Sequence, residues 1–154
     1  MNQIGKLQQV EREFMIYGLD IGALSETHCK EIGKETLDQG NTYIYSGRSD
    51  GGGREGVGMR ITPIAEKALT EGRVVNSRLL LAKSNSKQCN TSIIVRYAPT
   101  NDSPKERKDE YYEELQRVPF KYLSTPFTIF ISLAVDFDSF VTIKLKSDLV
   151  AIMA

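Results

Sequence analysis

The sequence predicts an α/β domain in which a mixed, mostly antiparallel sheet is flanked by helices. The first observation is an amphipathic helical pattern that leads, through Gly18, into an apolar run ending at Ser25. The second is a series of short runs with strand character, separated by turns that contain glycine. The third is a helix start at Ser103 and Pro104. With 154 residues and 40% hydrophobic content, we expect one domain with a packed core.

The N-terminal part supplies a helix, a strand and a hairpin. Apolar residues recur at helical spacing from Ile4 to Phe14, and Gly18 stands where this helix would end. The run from Asp20 to Ser25 predicts a strand. Segments 35–38 and 42–46 then flank a turn that contains a glycine, which is typical of an antiparallel hairpin.

Strands are predicted over 57–61, 73–83 and 91–97. Helices are predicted over 62–69 and 103–117. Ser103 and Glu106 have capping-box spacing, with Pro104 at the first helical position. Beyond Pro119 charge becomes sparse and Phe, Ile, Val and Thr dominate, which is typical of strands. We therefore divide the chain into a domain over 4–118 and an unrelated apolar tail over 119–154.

Charge, cysteine spacing and hydropathy argue against a strongly basic nucleic-acid binder, a cysteine-based zinc site, a disulfide-linked domain and a membrane-spanning protein. Lys plus Arg and Asp plus Glu balance at 20 each, so any attraction for nucleic acid must come from local clusters. Cys29 and Cys89 lie far apart, which argues against a zinc site and a disulfide framework and favours a nuclear or cytoplasmic protein. The N-terminus lacks a signal-peptide pattern, and the apolar stretch over 127–137 is too short to cross a bilayer.

Polar side chains follow two apolar strands at the points where these strands end. Glu26 comes directly after the first strand, and Tyr97 and Asn101 mark the end of the strand over 91–97. We expect these ends to line one shared cleft, with Glu26 as a metal ligand. The alternative is that Glu26 is an ordinary surface carboxylate at a strand end.

A glycine-rich segment over 51–56 matches the GxGxxG pattern of nucleotide-binding loops. A dinucleotide loop needs a helix directly after it, and a strand pattern follows here, so we expect a flexible hairpin loop. Arg48 and Arg54 flank or lie in this loop as candidate phosphate contacts; the alternative is a solvated loop without a role. His28 is the only histidine, so every mechanism that needs two histidines is excluded.

Five short motifs occur in order along the chain: Leu24-Ser-Glu-Thr-His28, Leu37-Asp38, Tyr45-Ser-Gly-Arg48, Arg54-Glu-Gly-Val-Gly58 and Tyr97-Ala-Pro-Thr-Asn-Asp102. On these motifs the chain resembles the endonuclease/exonuclease/phosphatase superfamily. More narrowly, it is similar to the endonuclease domains of non-LTR retrotransposons and to craniofacial-development-protein-like sequences. The similarity spans about Ile4 to Gln116 and includes several separated motifs in register.

This resemblance implies a four-layer α/β sandwich that hydrolyses phosphodiester bonds in DNA with Mg²⁺, for which Mn²⁺ can substitute. Glu26 matches the metal-binding glutamate of the superfamily, and Tyr97 matches the tyrosine that lies against the scissile phosphate. Asn101 is a looser match, because many relatives place the asparagine where this chain has Thr100. Mg²⁺ prefers oxygen ligands and keeps several waters, so one carboxylate can anchor it while the phosphate completes its coordination.

The chain also departs from the superfamily pattern. Relatives begin with a strand that carries an asparagine near the metal, and this strand would precede Met1. The later motifs Gly-Asp-x-Asn and Ser-Asp-His do not occur, and Asp136-Phe-Asp138 lacks both the glycine and the amide. Because no second histidine exists, the general-base position cannot be filled, which costs about 10² to 10⁴ in rate. We therefore expect a truncated endonuclease domain whose DNA-nicking activity is lost or impaired.

Two other functions remain open at this point. A truncated sandwich would supply roughly one sheet, and about 500 Å² of uncovered apolar surface would forgo on the order of 12 kcal/mol. Such a face would favour self-association, or a non-catalytic interaction module that binds another protein. The other possibility is a phosphoesterase acting on small substrates, because one scaffold supports several activities.

Overall fold

The computed structural model describes residues 3–25, 27, 29–48, 56–85, 90–118, 127–133, 141–146 and 149–153. Side chains are described for 8–24, 27, 29–48, 56–85 and 90–118. The helices of this part are α1 (Gln3–Tyr17), α2 (Pro63–Ala68) and α3 (Lys105–Gln116). Its strands are β1 (Ile21–Ser25), β2 (Gly33–Thr36), β3 (Thr42–Ser46), β4 (Val57–Ile61), β5 (Leu69–Asn76), β6 (Leu79–Asn85), β7 (Asn90–Tyr97), β8 (Phe127–Leu133), β9 (Val141–Lys146) and β10 (Leu149–Met153).

These strands form two sheets. Sheet A has the order β10-β9-β1-β4-β3-β2, and all its neighbours are antiparallel. Sheet B has the order β5-β6-β7-β8, in which β8 runs parallel to β7 and the other pairs are antiparallel. The predicted class, an α/β fold with mixed and mostly antiparallel strands, is therefore confirmed.

The main core lies between the two sheets. Ile21 and Met59 of sheet A are fully buried in one cluster with Leu80 and Ile93 of sheet B. Each side chain buried in this way contributes about 1.5–3 kcal/mol relative to an exposed one. The prediction that the inner face of the first sheet would lack a partner is wrong, because strands β5 to β7 turn back and cover it.

Helices cover the outer faces of both sheets. Phe14 of α1 packs with Leu24 and Tyr43 on the outer face of sheet A. At the other side of the molecule, Leu115 of α3 and Val118 pack against the outward residues of sheet B, which are Leu79, Leu81 and Ile94. The predicted amphipathic character of both helices therefore serves to attach them to a sheet.

Several predicted elements are confirmed with small shifts in their ends. The first helix, the strand after it, the hairpin over 33–46 and the short helix at Pro63 all form. Gly40 has a φ of 79°, which explains why the hairpin turn contains a glycine. Thr62 caps α2 by accepting a hydrogen bond from the backbone N–H of Ala65 at 3.3 Å.

Two local predictions are wrong. Segment 73–83 is not one strand, because the chain turns at Ser77–Arg78 and forms the hairpin of β5 and β6. The Asn76 side chain supports this turn by accepting a hydrogen bond from the Arg78 N–H at 2.7 Å. The capping box at α3 is also absent: Pro104 is the N-cap, and the Ser103 hydroxyl bonds to the Thr100 hydroxyl at 2.9 Å instead.

The segment after residue 118 contributes backbone to both sheets. Strand β8 pairs with β7 over Thr91–Tyr97, and β9 lies between β1 and β10. The division of the chain at residue 118 stays a prediction, and the sequence pair Asp136 and Asp138 lies outside the described residues. No helix in the described part of the chain is long and apolar enough to span a membrane.

Candidate phosphate site at one edge of the two sheets

The loop after β1 lies against the end of β3 and the start of β4. The Thr27 hydroxyl donates to the backbone carbonyl of Ser46 at 3.2 Å, and the Thr27 N–H approaches the carbonyl of Gly56 at 3.5 Å. Glu26 and His28 themselves lie outside the described residues. Thr27, which follows Glu26 in the sequence, is therefore held at this edge by hydrogen bonds from both its own side chain and its own backbone.

Gly47 permits this close contact. A Cβ atom at position 47 would collide with the backbone carbonyl of Cys29. Since backbone atoms cannot move aside as the end of a flexible side chain can, a larger residue here would displace the loop that follows β1. The glycine in the Tyr45-Ser-Gly-Arg48 motif is thus explained by packing against the loop that carries Glu26 in the sequence.

Tyr97 ends β7 in a tightly fixed position. Its side chain is only 4% exposed, and its backbone N–H donates to the carbonyl of Arg78 at 2.9 Å. In return, Nη1 of Arg78 donates to the Tyr97 carbonyl at 3.2 Å, and the guanidinium carbon lies 5.2 Å from the centre of the Tyr97 ring. This cation–π arrangement places a positive charge directly beside the phenol predicted to contact phosphate.

A cavity of about 250 Å³ connects the end of β3 with this arginine. We call it the α3 cavity; it is lined by Arg48, Asn76, Ser77, Arg78, Arg107, Glu110, Tyr111 and Glu114. Arg48 and Tyr97 thus lie at the same edge of the molecule, since each is close to Arg78. The last residues of β1 and β3, Ser25 and Ser46, both pair with Val57, so β1 also ends at this edge.

The other predicted site residues are less informative. Asn101 is exposed in the turn between β7 and α3, where its backbone carbonyl accepts a hydrogen bond from Lys108 Nζ at 2.6 Å. Arg54 lies outside the described residues. The roles assigned to Glu26, Tyr97, Asn101, Arg48 and Arg54 stay predictions, although three of the five are now placed in the fold.

Tyr111 in the wall of the α3 cavity is an unusual residue. It is 5% exposed, and no described group accepts a hydrogen bond from its buried hydroxyl, although the Arg96 guanidinium is near enough to donate to it. An unsatisfied buried hydroxyl costs about 1–3 kcal/mol. Burial raises the pKa of Tyr111, while the nearby guanidinium groups of Arg96 and Arg78 oppose that rise. The phenol therefore stays protonated at neutral pH and is available as a donor.

The role of Glu26 as a ligand of a divalent metal ion stays a prediction, because Glu26 lies outside the described residues. The described residues contain no group of three or more His, Cys, Asp or Glu side chains that could hold an ion. The hydroxyls of Thr27 and Ser46 at this edge already donate to backbone carbonyls. One carboxylate, several waters and a substrate phosphate are nevertheless a sufficient set of ligands for Mg²⁺.

Cys29 is a partly buried free cysteine beside this edge. Burial raises the pKa of its thiol, which donates to the Thr27 carbonyl at 3.6 Å. A thiol that stays protonated is a poor nucleophile. The nearby rings of Tyr43 and Tyr45 stack with centroids 5.3 Å apart, and burial raises the pKa of Tyr43 strongly. The Cys29 thiol is therefore a poor candidate for a catalytic nucleophile.

Three residues of the site were not identified from the sequence. The apolar pattern over 73–83 predicts a strand with Arg78 in its middle, although the Asn76-Ser77 pair before it is a turn signal. For Tyr111 and Arg107 the sequence pattern predicts only that they belong to a surface helix. No sequence signal distinguishes them, because their role follows from where α3 packs on sheet B.

Comparisons with known proteins give two distant relatives. The chain is 28% identical to craniofacial development protein 2 of Bos taurus over 114 residues, which are 74% of this chain and 19% of that protein. It is 27% identical to craniofacial development protein 2 of Tragulus javanicus over 114 residues, 74% of this chain and 20% of that protein. The chain thus spans about a fifth of the length of these relatives. No protein-family profile and no solved structure matches it.

Proposed function

We propose that this chain is a truncated domain of the endonuclease/exonuclease/phosphatase type, with a four-layer sandwich fold, that binds DNA and retains only an impaired Mg²⁺-dependent nicking activity. The observation that supports this most is the edge at which β1, β3 and β7 end together. At this edge Tyr97 is fixed against Arg78, and Arg78 shares the α3 cavity with Arg48.

Each residue has a distinct part in this proposal. Glu26 holds the cation, whose chemistry is to offset negative charge on the phosphate oxygens. Tyr97 donates a hydrogen bond from its phenol to a phosphate oxygen, and the Arg78 guanidinium keeps the ring in place. Arg48 contributes positive charge to a molecule that has no net charge of its own. Removing one donor of this kind costs about 10² to 10³ in rate in hydrolytic enzymes.

The impairment follows from the missing general base. His28 is the only histidine of the chain and belongs to the glutamate motif. Cys29 stays protonated because burial raises the pKa of its thiol. Without a positioned base, the attacking water is not activated, and the rate falls by about 10² to 10⁴.

A plasmid-nicking assay tests this proposal. We expect slow conversion of supercoiled to relaxed plasmid that requires Mg²⁺ and falls to background in the Glu26→Ala variant. Glu113→Ala is the matched control, because this glutamate is exposed on α3 and forms a surface pair with Arg117 at 3.7 Å. Equal nicking by the Glu26→Ala variant, or no detectable DNA binding by the unaltered chain, would contradict the proposal.

The alternative is a non-catalytic interaction module. Three neighbouring apolar side chains at the end of α1, Met15, Ile16 and Tyr17, are 52%, 72% and 65% exposed. Exposed apolar residues grouped in this way favour contact with another chain or with a second copy of this one. Size-exclusion chromatography with light scattering distinguishes the two functions, since a monomer that binds DNA favours the nuclease-type domain.

A further inference from the structure

The α3 cavity is a site that the predicted nuclease residues do not account for. It has a wall from α3 and a wall from the β5–β6 turn, and Arg48 approaches it from the end of β3. Its volume of about 250 Å³ is below the roughly 300–1,000 Å³ of typical small-molecule pockets. The cavity is therefore small for a whole nucleotide, and its arginine lining favours a phosphate group over an uncharged base.

The charge of the cavity favours an anion. Three arginines line it, at 48, 78 and 107, against two carboxylates, Glu110 and Glu114. Glu114 keeps its charge although it accepts a hydrogen bond from the Asn76 side-chain amide, so three positive against two negative charges leave the lining with one net positive charge. Arginine presents a planar fork of five N–H donors and can serve several acceptors at once, so a guanidinium that already contacts its neighbours can also bind a phosphate oxygen.

Tyr111 gives an independent reason to expect a ligand. Its hydroxyl is buried and belongs to a residue that lines the cavity, and no described group accepts a hydrogen bond from it. The nearby Arg96 guanidinium has no acceptor atom and can only donate to this hydroxyl. Buried polar groups in native proteins are almost always satisfied. A phosphate oxygen that enters the cavity would accept the hydrogen bond that no described side chain or backbone group accepts.

We propose that the α3 cavity binds the phosphate next to the reacting one in the same DNA strand, with charge from Arg48, Arg78 and Arg107 and a hydrogen bond from Tyr111. This proposal rests on the proposed DNA-binding function. Arg78 connects the two positions, because its guanidinium lies over the Tyr97 ring and also lines the cavity. The cavity would thereby fix the register of the strand relative to Tyr97.

Two variants test the proposal by fluorescence anisotropy with a labelled DNA duplex. Arg107→Ala should weaken binding about tenfold, and the slope of log affinity against log salt should fall by about 0.9. Arg117→Ala is the matched control, because this arginine follows the same helix but lies outside the cavity. Equal losses in the two variants would overturn the proposal.

The Tyr111→Phe variant removes only the hydroxyl. Measuring both its DNA affinity and its melting temperature distinguishes a role of this hydroxyl in binding from a role in stability. If the hydroxyl donates to phosphate, DNA affinity should fall several-fold while the melting temperature is unchanged or higher. A purely structural hydroxyl would leave DNA affinity unchanged, and that result would contradict the proposal.

A titration with inorganic phosphate, followed by the NMR signals of the arginine side chains, distinguishes failure of the cavity from failure of the nuclease proposal. If inorganic phosphate shifts the NMR signals of Arg78 and Arg107 in a chain that binds no DNA, the cavity is a phosphate site and the nuclease proposal is wrong. If inorganic phosphate shifts neither signal and DNA binding is unaffected by Arg107→Ala, the cavity is not a phosphate site.

Discussion

The Arg60 side chain is almost completely enclosed, with only 4% of it exposed. Its Nε donates to Glu11 Oε1 at 2.9 Å and its Nη1 to the Leu19 carbonyl at 2.7 Å. The guanidinium carbon also lies 5.1 Å from the centre of the Phe14 ring. A buried charge of this kind is tolerated only where partners satisfy it. This residue therefore fixes α1 on the outer face of sheet A.

Removing the carboxylate at position 11 should be strongly destabilising. Glu11→Ala leaves the buried guanidinium without its anion and the Asn41 amide without its acceptor. We expect the free energy of unfolding to fall by about 3–5 kcal/mol, measured by urea denaturation. Glu113→Ala, which breaks an exposed pair, should cost about 0–1 kcal/mol. Equal losses in the two variants would show that the Arg60 pair does not hold the helix in place.

At the scale of elements, the hairpin of β2 and β3 is joined by a side-chain contact as well as by its backbone. The Tyr45 hydroxyl donates to Glu35 Oε1 at 2.7 Å, and this hydrogen bond is the main cause that raises the pKa of Tyr45 to about 12. A raised pKa in the folded state means that the neutral phenol is preferred there. The resulting stabilisation is present below a pH of about 10 and is lost as pH rises from about 10 to 12.

The hydrogen bond between Tyr45 and Glu35 predicts how the Glu35→Gln substitution changes the pKa of Tyr45. Because the variant removes both the charged acceptor and its Coulombic effect, the pKa of Tyr45 should fall toward 10. The measurement is a pH titration of the ¹³Cζ signal of Tyr45 by NMR, with Glu113→Gln as a remote control. An unchanged titration midpoint in Glu35→Gln would show that this hydrogen bond does not join the two strands in solution.

Elements with a strong local pattern could be predicted from the sequence, and those that depend on long-range packing could not. The glycine in the β2–β3 turn and the helical spacing of α1 are local signals, and both elements form. The β5–β6 turn was missed because the apolar run around it dominates the pattern, whereas Asn76 supports the turn through its side chain. The capping box at α3 failed because Ser103 bonds with Thr100 instead.

The same distinction applies to the candidate site. The ends of β1 and β7 could be selected as a candidate site from the sequence, because each places polar residues after an apolar run. The roles given to Glu26 and Tyr97 stay predictions. The α3 cavity could not be predicted, because it brings together Arg48, the β5–β6 turn and α3, which are distant in sequence. Only the stacking of sheet B on sheet A creates this neighbourhood.

At the scale of the whole molecule, two sheets share one core, so the chain can form a packed interior without a partner. Clusters on both outer faces attach α1 and α3 to the sheets. This arrangement brings the ends of β1, β3 and β7 to one edge, where the loop containing Thr27 and the Arg78–Tyr97 pair lie. The central proposal is that Glu26 is a ligand of a divalent cation and that Tyr97 contacts the phosphate bound to this cation.

Line broadening by Mn²⁺ in NMR spectra tests this claim most directly, because a paramagnetic ion broadens only the signals of nearby nuclei. We predict that Mn²⁺ broadens the amide signals of Thr27, Gly47 and Tyr97 together, and that Glu26→Ala abolishes this effect whereas Glu113→Ala does not. Broadening confined to other parts of the molecule, or equal broadening in the Glu26→Ala variant, would contradict the account.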